Sequence, residues 1–105
     1  MNSLNWKALE HTDISGGNRR LTVTGTIDLT NTNQTADLVE RIPQGFEGTT
    51  LLLNLDLRSN GIGNPVVVKR EVSYDKPIEE DQYRIVEIWL EQQRLESVQV
   101  ETVLS

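Results

Sequence analysis

Thr49-Thr50-Leu51-Leu52-Leu53-Asn54-Leu55-Asp56-Leu57-Arg58 is the stretch whose reading decides the fold. Leu51, Leu53, Leu55 and Leu57 alternate with Leu52, Asn54, Asp56 and Arg58. Successive strand side chains point to opposite faces, so a period of two means one buried and one wet face. Arg20 to Leu29 follows the same rule, with Leu21, Val23, Ile27 and Leu29 set against Thr22, Thr24, Thr26 and Asp28. Gly25 stands where another inward side chain is due. A glycine there announces a bulge, a bend or the close approach of another group.

Outward from these two strands, Val66 to Asp75 is a third confident one. Trp6–His11, Tyr83–Glu91 and Ser97–Leu104 also read as strands. Thr35 to Ile42 alternates as a strand, with a short helix as the other reading, before Pro43-Gln44-Gly45 stops it. Residues 79–96 are the second ambiguity. They hold good helix formers, and Ile85, Ile88, Gln92 and Leu95 fall near helical spacing. The β-branched and aromatic run Ile85, Val86, Ile88, Trp89 favours two strands instead. Ser15-Gly16-Gly17-Asn18, Asn31–Gln34 and the segment Ser59–Pro65 read as turns and loops. Short strands at this spacing predict an all-β fold: an antiparallel β-sandwich of about seven strands, immunoglobulin-like, with little or no helix. Residues 1–105 fit one such domain.

Leu21-Thr22-Val23-Thr24-Gly25-Thr26 resembles the opening strand of small uncharacterised bacterial β-sandwich domains of the immunoglobulin-like kind. Pro43-Gln44-Gly45 leading into Leu51–Leu55, and then Val72-Ser73-Tyr74-Asp75, are similar in order, so the likeness spans residues 21–91. It implies the sandwich and carries no activity and no functional residues.

The net charge is −6, and it is unevenly placed. Residues 1–70 hold seven acids and seven bases, whereas residues 71–105 hold nine acids and three bases. An acidic chain repels polyanions, so nucleic acid and anionic membrane surfaces are not expected partners. The chain has no cysteine, which removes thiol chemistry and thiolate metal sites. No apolar run is long enough to span a membrane, and the N-terminus lacks the pattern of a signal peptide. The expected location is therefore cytoplasmic, unless a leader has been removed.

No motif for catalysis stands out. His11 is the single histidine and lies two residues from Asp13, too few ligands for a metal and more simply the end of a strand. Gly61-Ile62-Gly63-Asn64 begins like a dinucleotide fingerprint, but the third glycine is missing and a strand follows where a helix is needed. No G-x-S-x-G elbow exists. The turn at 15–20, with Arg19 and Arg20, reads as a turn rather than an anion cradle. Asn33-Gln34-Thr35 matches a glycosylation sequon by composition alone. Asp75, Glu79, Glu80 and Asp81 cluster in one loop and form a candidate calcium site, with a solvated acidic loop as the plainer explanation.

The expected function is therefore not that of an enzyme and requires no cofactor. It is a protein–protein interaction or structural module, with a protein partner or a weak homodimer. The alternative is a small module binding sugar or calcium. Leu52, Val67, Tyr83, Ile85 and Trp89 are the expected interaction surface, because they fall on faces that should be wet.

Overall fold

The computed structural model describes residues 3–12, 18–45, 48–59 and 61–103. Asp13, the Ser15-Gly16-Gly17 turn, Asn60 and the expected strand end at Leu104 lie outside the described residues. Seven strands follow in order: β1 Ser3–Thr12, β2 Arg19–Leu29, β3 Gln34–Glu40, β4 Thr50–Ser59, β5 Val68–Pro77, β6 Ile85–Leu90 and β7 Gln93–Val103. No helix occurs among the described residues, and none is long and apolar enough to cross a membrane. Neither helical alternative forms: 35–40 belong to β3, and 79–96 hold a connection followed by β6 and the start of β7.

The alternation does what period two requires. Leu21, Val23, Ile27 and Leu29 of β2 and Leu51, Leu53 and Leu55 of β4 are buried, joined by Leu38, Val72, Val86 and Ile88. Leu57 sits half-buried against that cluster. Each fully buried aliphatic contributes about 1.5–3 kcal/mol, so these facing rows supply most of the driving force.

The strands form one mixed sheet in the order β3-β4-β6-β7-β1-β2-β5. Pairing is antiparallel except between β1 and β7 and between β4 and β6, which are parallel. This corrects the expectation of a purely antiparallel sandwich. Alternation reports which face a side chain takes and says nothing of strand direction, so the sequence pattern is blind to this difference. β7 turns the sheet: Gln93–Gln99 pair with β6 and Val100–Val103 pair with β1. The two terminal strands, β3 and β5, then approach each other without a ladder between them, and the sheet is nearly closed, like a barrel.

The pairings also fix direction. Odd-numbered strands all run toward one end, and even-numbered strands run away from it. We call the end holding Thr12, Glu40, Pro77 and Val103 the upper end. The β4–β5 and β2–β3 connections lie at the lower end. Three local devices shape the strands. A register shift between Leu4 and Lys7 coincides with a positive φ of 59° at Asn5. It seats the Trp6 ring over Gly25, close enough that a Cβ on Gly25 would lie 2.5 Å from Trp6 Cδ2. Gly25 is thus the close-approach position that the sequence announces. A second shift, between Ile88 and Trp89, precedes the tight β6–β7 connection, where Glu91 has a φ of 55°.

Candidate functional site

At the upper end, charged and phenolic side chains take inward positions of four strands. Glu10 follows Ala8 in the buried phase of β1, Arg19 precedes Leu21 in β2, Glu40 follows Leu38 in β3, and Tyr74 and Lys76 follow Val72 in β5. Strand direction brings all five to the same mouth of the barrel.

Two linked clusters result. Glu10 is 1% exposed, and its Oε2 accepts a hydrogen bond from Arg19 Nη1 at 2.7 Å. Arg19 Nη2 lies 3.9 Å from the exposed Glu80. A carboxylate taken out of water this completely must be matched by a partner, and the guanidinium is that match. The second cluster spans the seam between β3 and β5. The Tyr74 hydroxyl donates to Glu40 Oε2, and Lys76 Nζ lies 3.4 Å from Glu40. Lys76 Nζ also lies 3.3 Å from the Tyr83 hydroxyl and 5.3 Å from its ring centroid. Side chains therefore join the sheet's ends where the backbone does not. Burial pushes the Tyr74 phenol well above its ordinary value, helped by its bond to the Glu40 carboxylate and by that group's charge. Burial alone would lower the Lys76 ammonium, but the Tyr83 hydroxyl and the Glu40 carboxylate outweigh it, and the net shift is upward.

The β5–β6 connection crosses this mouth. Ile78 is buried, and its N–H donates to the Arg19 carbonyl at 3.0 Å, while Arg84 N–H donates to the Thr49 carbonyl at 2.8 Å. The acidic residues expected as a calcium site sit along this crossing segment. Asp75 is bound to Arg20 at 2.7 Å, Glu80 leans toward Arg19, and Glu79 and Asp81 are exposed. Among the described residues no three carboxylate or imidazole groups gather closely enough to hold a metal ion. His11 is half-buried, with Nε2 2.9 Å from Thr22 Oγ1.

The five residues expected as one interaction surface fall in three places. Leu52, Ile85 and Trp89 lie on the outer face of β4 and β6, where Asn54 pairs with Trp89 and Thr50 with Ile85. All three are half-buried. Two of them have polar neighbours close by. The Arg41 guanidinium stands 4.7 Å over the Trp89 ring, and the indole N–H donates to Glu87 at 3.1 Å. Gln44 reaches Leu52 with both ends of its amide, accepting from its N–H at 2.9 Å and donating to its carbonyl at 2.8 Å. That side chain continues the β3–β4 ladder after β3 has ended. Tyr83 belongs to the upper mouth instead.

Val67 is at the lower end, and it is 70% exposed. Ile62 is fully exposed and Val66 is 51% exposed on the same β4–β5 connection. The backbone that carries them is tied down. Thr32 N–H donates to the Asn64 carbonyl at 3.1 Å, Asn64 N–H to Thr32 Oγ1 at 2.8 Å, and Val66 N–H to the Asn64 carbonyl at 2.8 Å. Gly63 is packed so tightly on the β2–β3 turn that a Cβ there would lie 2.6 Å from Asn33 N. Asn33, the sequon asparagine, is half-buried and donates to the Gly61 carbonyl.

The mouth residues Glu10, Arg19, Glu40, Tyr74 and Lys76 were legible only as charged or phenolic groups in the buried phase of a strand. Glu40 and Lys76, for instance, meet across 36 residues of chain, so no local motif names them. Compared with known protein families, curated proteins and solved structures, the chain shows no match, and the likeness at residues 21–91 remains one of strand pattern.

Proposed function

We propose that this chain is a non-catalytic interaction module that docks a protein partner through the lower tip of the β4–β5 connection. The observation that supports this reading is the display of Ile62, Val66 and Val67 on a hydrogen-bonded backbone. A loose loop folds its aliphatic side chains away from water. A tethered one holds them out, and a partner that covers them recovers the hydration cost with little ordering entropy. The upper mouth is read as structural rather than catalytic, since its carboxylates are spoken for by Arg19, Tyr74 and Lys76. In this reading the domain is immunoglobulin-like in use, a β scaffold working through the loops at its ends. The net charge of −6 favours a protein partner with a basic rim over nucleic acid or an anionic membrane.

Photo-crosslinking in living cells tests this reading. Ile62 or Val67 is replaced by p-benzoylphenylalanine, with Ser73 on the exposed face of β5 as the control position. Defined protein adducts from Ile62 and Val67, absent from Ser73, are expected. No adduct, or the same adducts from all three positions, contradicts it.

A further inference from the structure

β7 pairs with β1 over Val100–Val103 and with β6 over Gln93–Gln99, so among the described residues the β1–β7 ladder stops at Ala8. A cavity of about 200 Å³ lies where the two strands part. Trp6, Ala8, Leu9 and Val98 line it, with Lys7 and Glu101 also in its wall. The space is far larger than the room one water needs and is of the order that takes a single benzene-sized ring.

Trp6 is half-buried, yet its indole Nε1 is closed off from bulk water and has no acceptor among the described residues. A buried indole N–H ordinarily finds a partner, and one left unmet is costly. The ring rests on Gly25 of β2 with Cδ2, Cε3 and Cζ3 nearest, so its opposite edge, which carries Nε1, is turned away from β2. β7 and the cavity lie on the other side of β1. What the indole lacks is an acceptor, and the apolar walls suit one carried on an apolar body. Lys7 and Glu101 are exposed, have opposite charges and form no ion pair among the described residues, so together they favour no ion. We propose that this cavity binds a small neutral molecule with an apolar body and one carbonyl oxygen, and that the Trp6 indole N–H donates to that oxygen.

This site stands apart from docking through Ile62, Val66 and Val67. The test is nitrogen-15 NMR of the full chain titrated with cyclohexanone and read at the two indole N–H signals, assigned with Trp89→Phe. The Trp6 signal should move downfield and saturate. The Trp89 signal should stay in place, because its N–H already donates to Glu87 at 3.1 Å. The amides of Ala8, Val98 and Gln99 should shift with the same midpoint. Cyclohexane has the body without the oxygen. It should leave the Trp6 indole signal unmoved and bind at least about threefold more weakly, in keeping with the loss of one hydrogen bond. Val98→Phe, which fills the cavity, should abolish binding of cyclohexanone. If that variant fails to fold, the comparison of the two probes on the parent chain decides. A Trp6 signal that does not move, that moves together with that of Trp89, or that moves equally with cyclohexane overturns the proposal. So does a long-lived water on the Trp6 N–H that cyclohexanone fails to displace.

Discussion

The ring of Trp6 occupies the space above Gly25 that a side chain of β2 would otherwise fill. The bulge between Leu4 and Lys7 aims the indole there, so a feature of β1 and a missing side chain of β2 make one packing unit. Gly25→Ala should therefore displace the ring and destabilise the domain by about 1–3 kcal/mol, the usual penalty of overpacking. With Trp6→Ala already in place the same change should cost less than about 0.5 kcal/mol, because the clash is gone. Urea melts of the four proteins in this cycle measure the coupling.

Leu53 is fully buried, and its neighbour Leu52, whose backbone is bonded to the Gln44 side chain, is half-buried. Leu53→Ala should cost about 2–5 kcal/mol through lost transfer energy plus a cavity. Leu52→Ala should cost less, since its side chain keeps part of its surface in water and leaves no closed cavity. Equal losses in urea melts would mean that the two faces of β4 are wrongly assigned.

The latch between Tyr74, Glu40 and Lys76 sets a dependence on alkaline pH. Folding raises the pKa of both Tyr74 and Lys76 above their ordinary values of 10.0 and 10.5. A group raised in the folded state holds its proton where the unfolded chain has lost it, so stability is full below about pH 10 and declines above it. The urea midpoint should stay level from pH 7 to 9 on this account and fall beyond about pH 10. Tyr74→Phe should flatten that fall. An unchanged slope in the variant would remove the latch as its cause.

Glu91 adopts a φ of 55° in the two-residue connection between Leu90 and Gln93. Tight hairpins need this sign to match the twist of their strands, yet a side chain makes it costly by about 1–2 kcal/mol. Glu91→Gly should raise stability by up to about 1 kcal/mol, net of the added freedom of the unfolded chain. Glu91→Val should lower it by about 1 kcal/mol or more, because a β-branched side chain is worst placed there. Thermal melts of the two variants should move in opposite directions.

Alternation made β2 and β4 legible almost residue for residue, because burial on one face is a local property of the chain. Strand direction was not, and the parallel pairs β1–β7 and β4–β6 depend on how distant segments meet. The upper mouth was half legible. Glu40 was already in phase with Ala36 and Leu38, and Lys76 in phase with Val72, but phase alone does not show that the two meet across the seam. The apolar residues Leu52, Ile85 and Trp89 were placed correctly on an outer face. What the pattern could not foresee was that Arg41, from the connection after β3, stands over the Trp89 ring and that Gln44 bonds the Leu52 backbone.

Docking at the lower end requires that Ile62, Val66 and Val67 be held out on a fixed backbone. Nitrogen-15 relaxation of the Asn64 and Val66 amides tests this most directly, since both donate hydrogen bonds that tie the loop. Order parameters near about 0.85, equal to those of the strands, are expected. Values below about 0.6 would show a loop free to tuck its side chains away, and would contradict the claim.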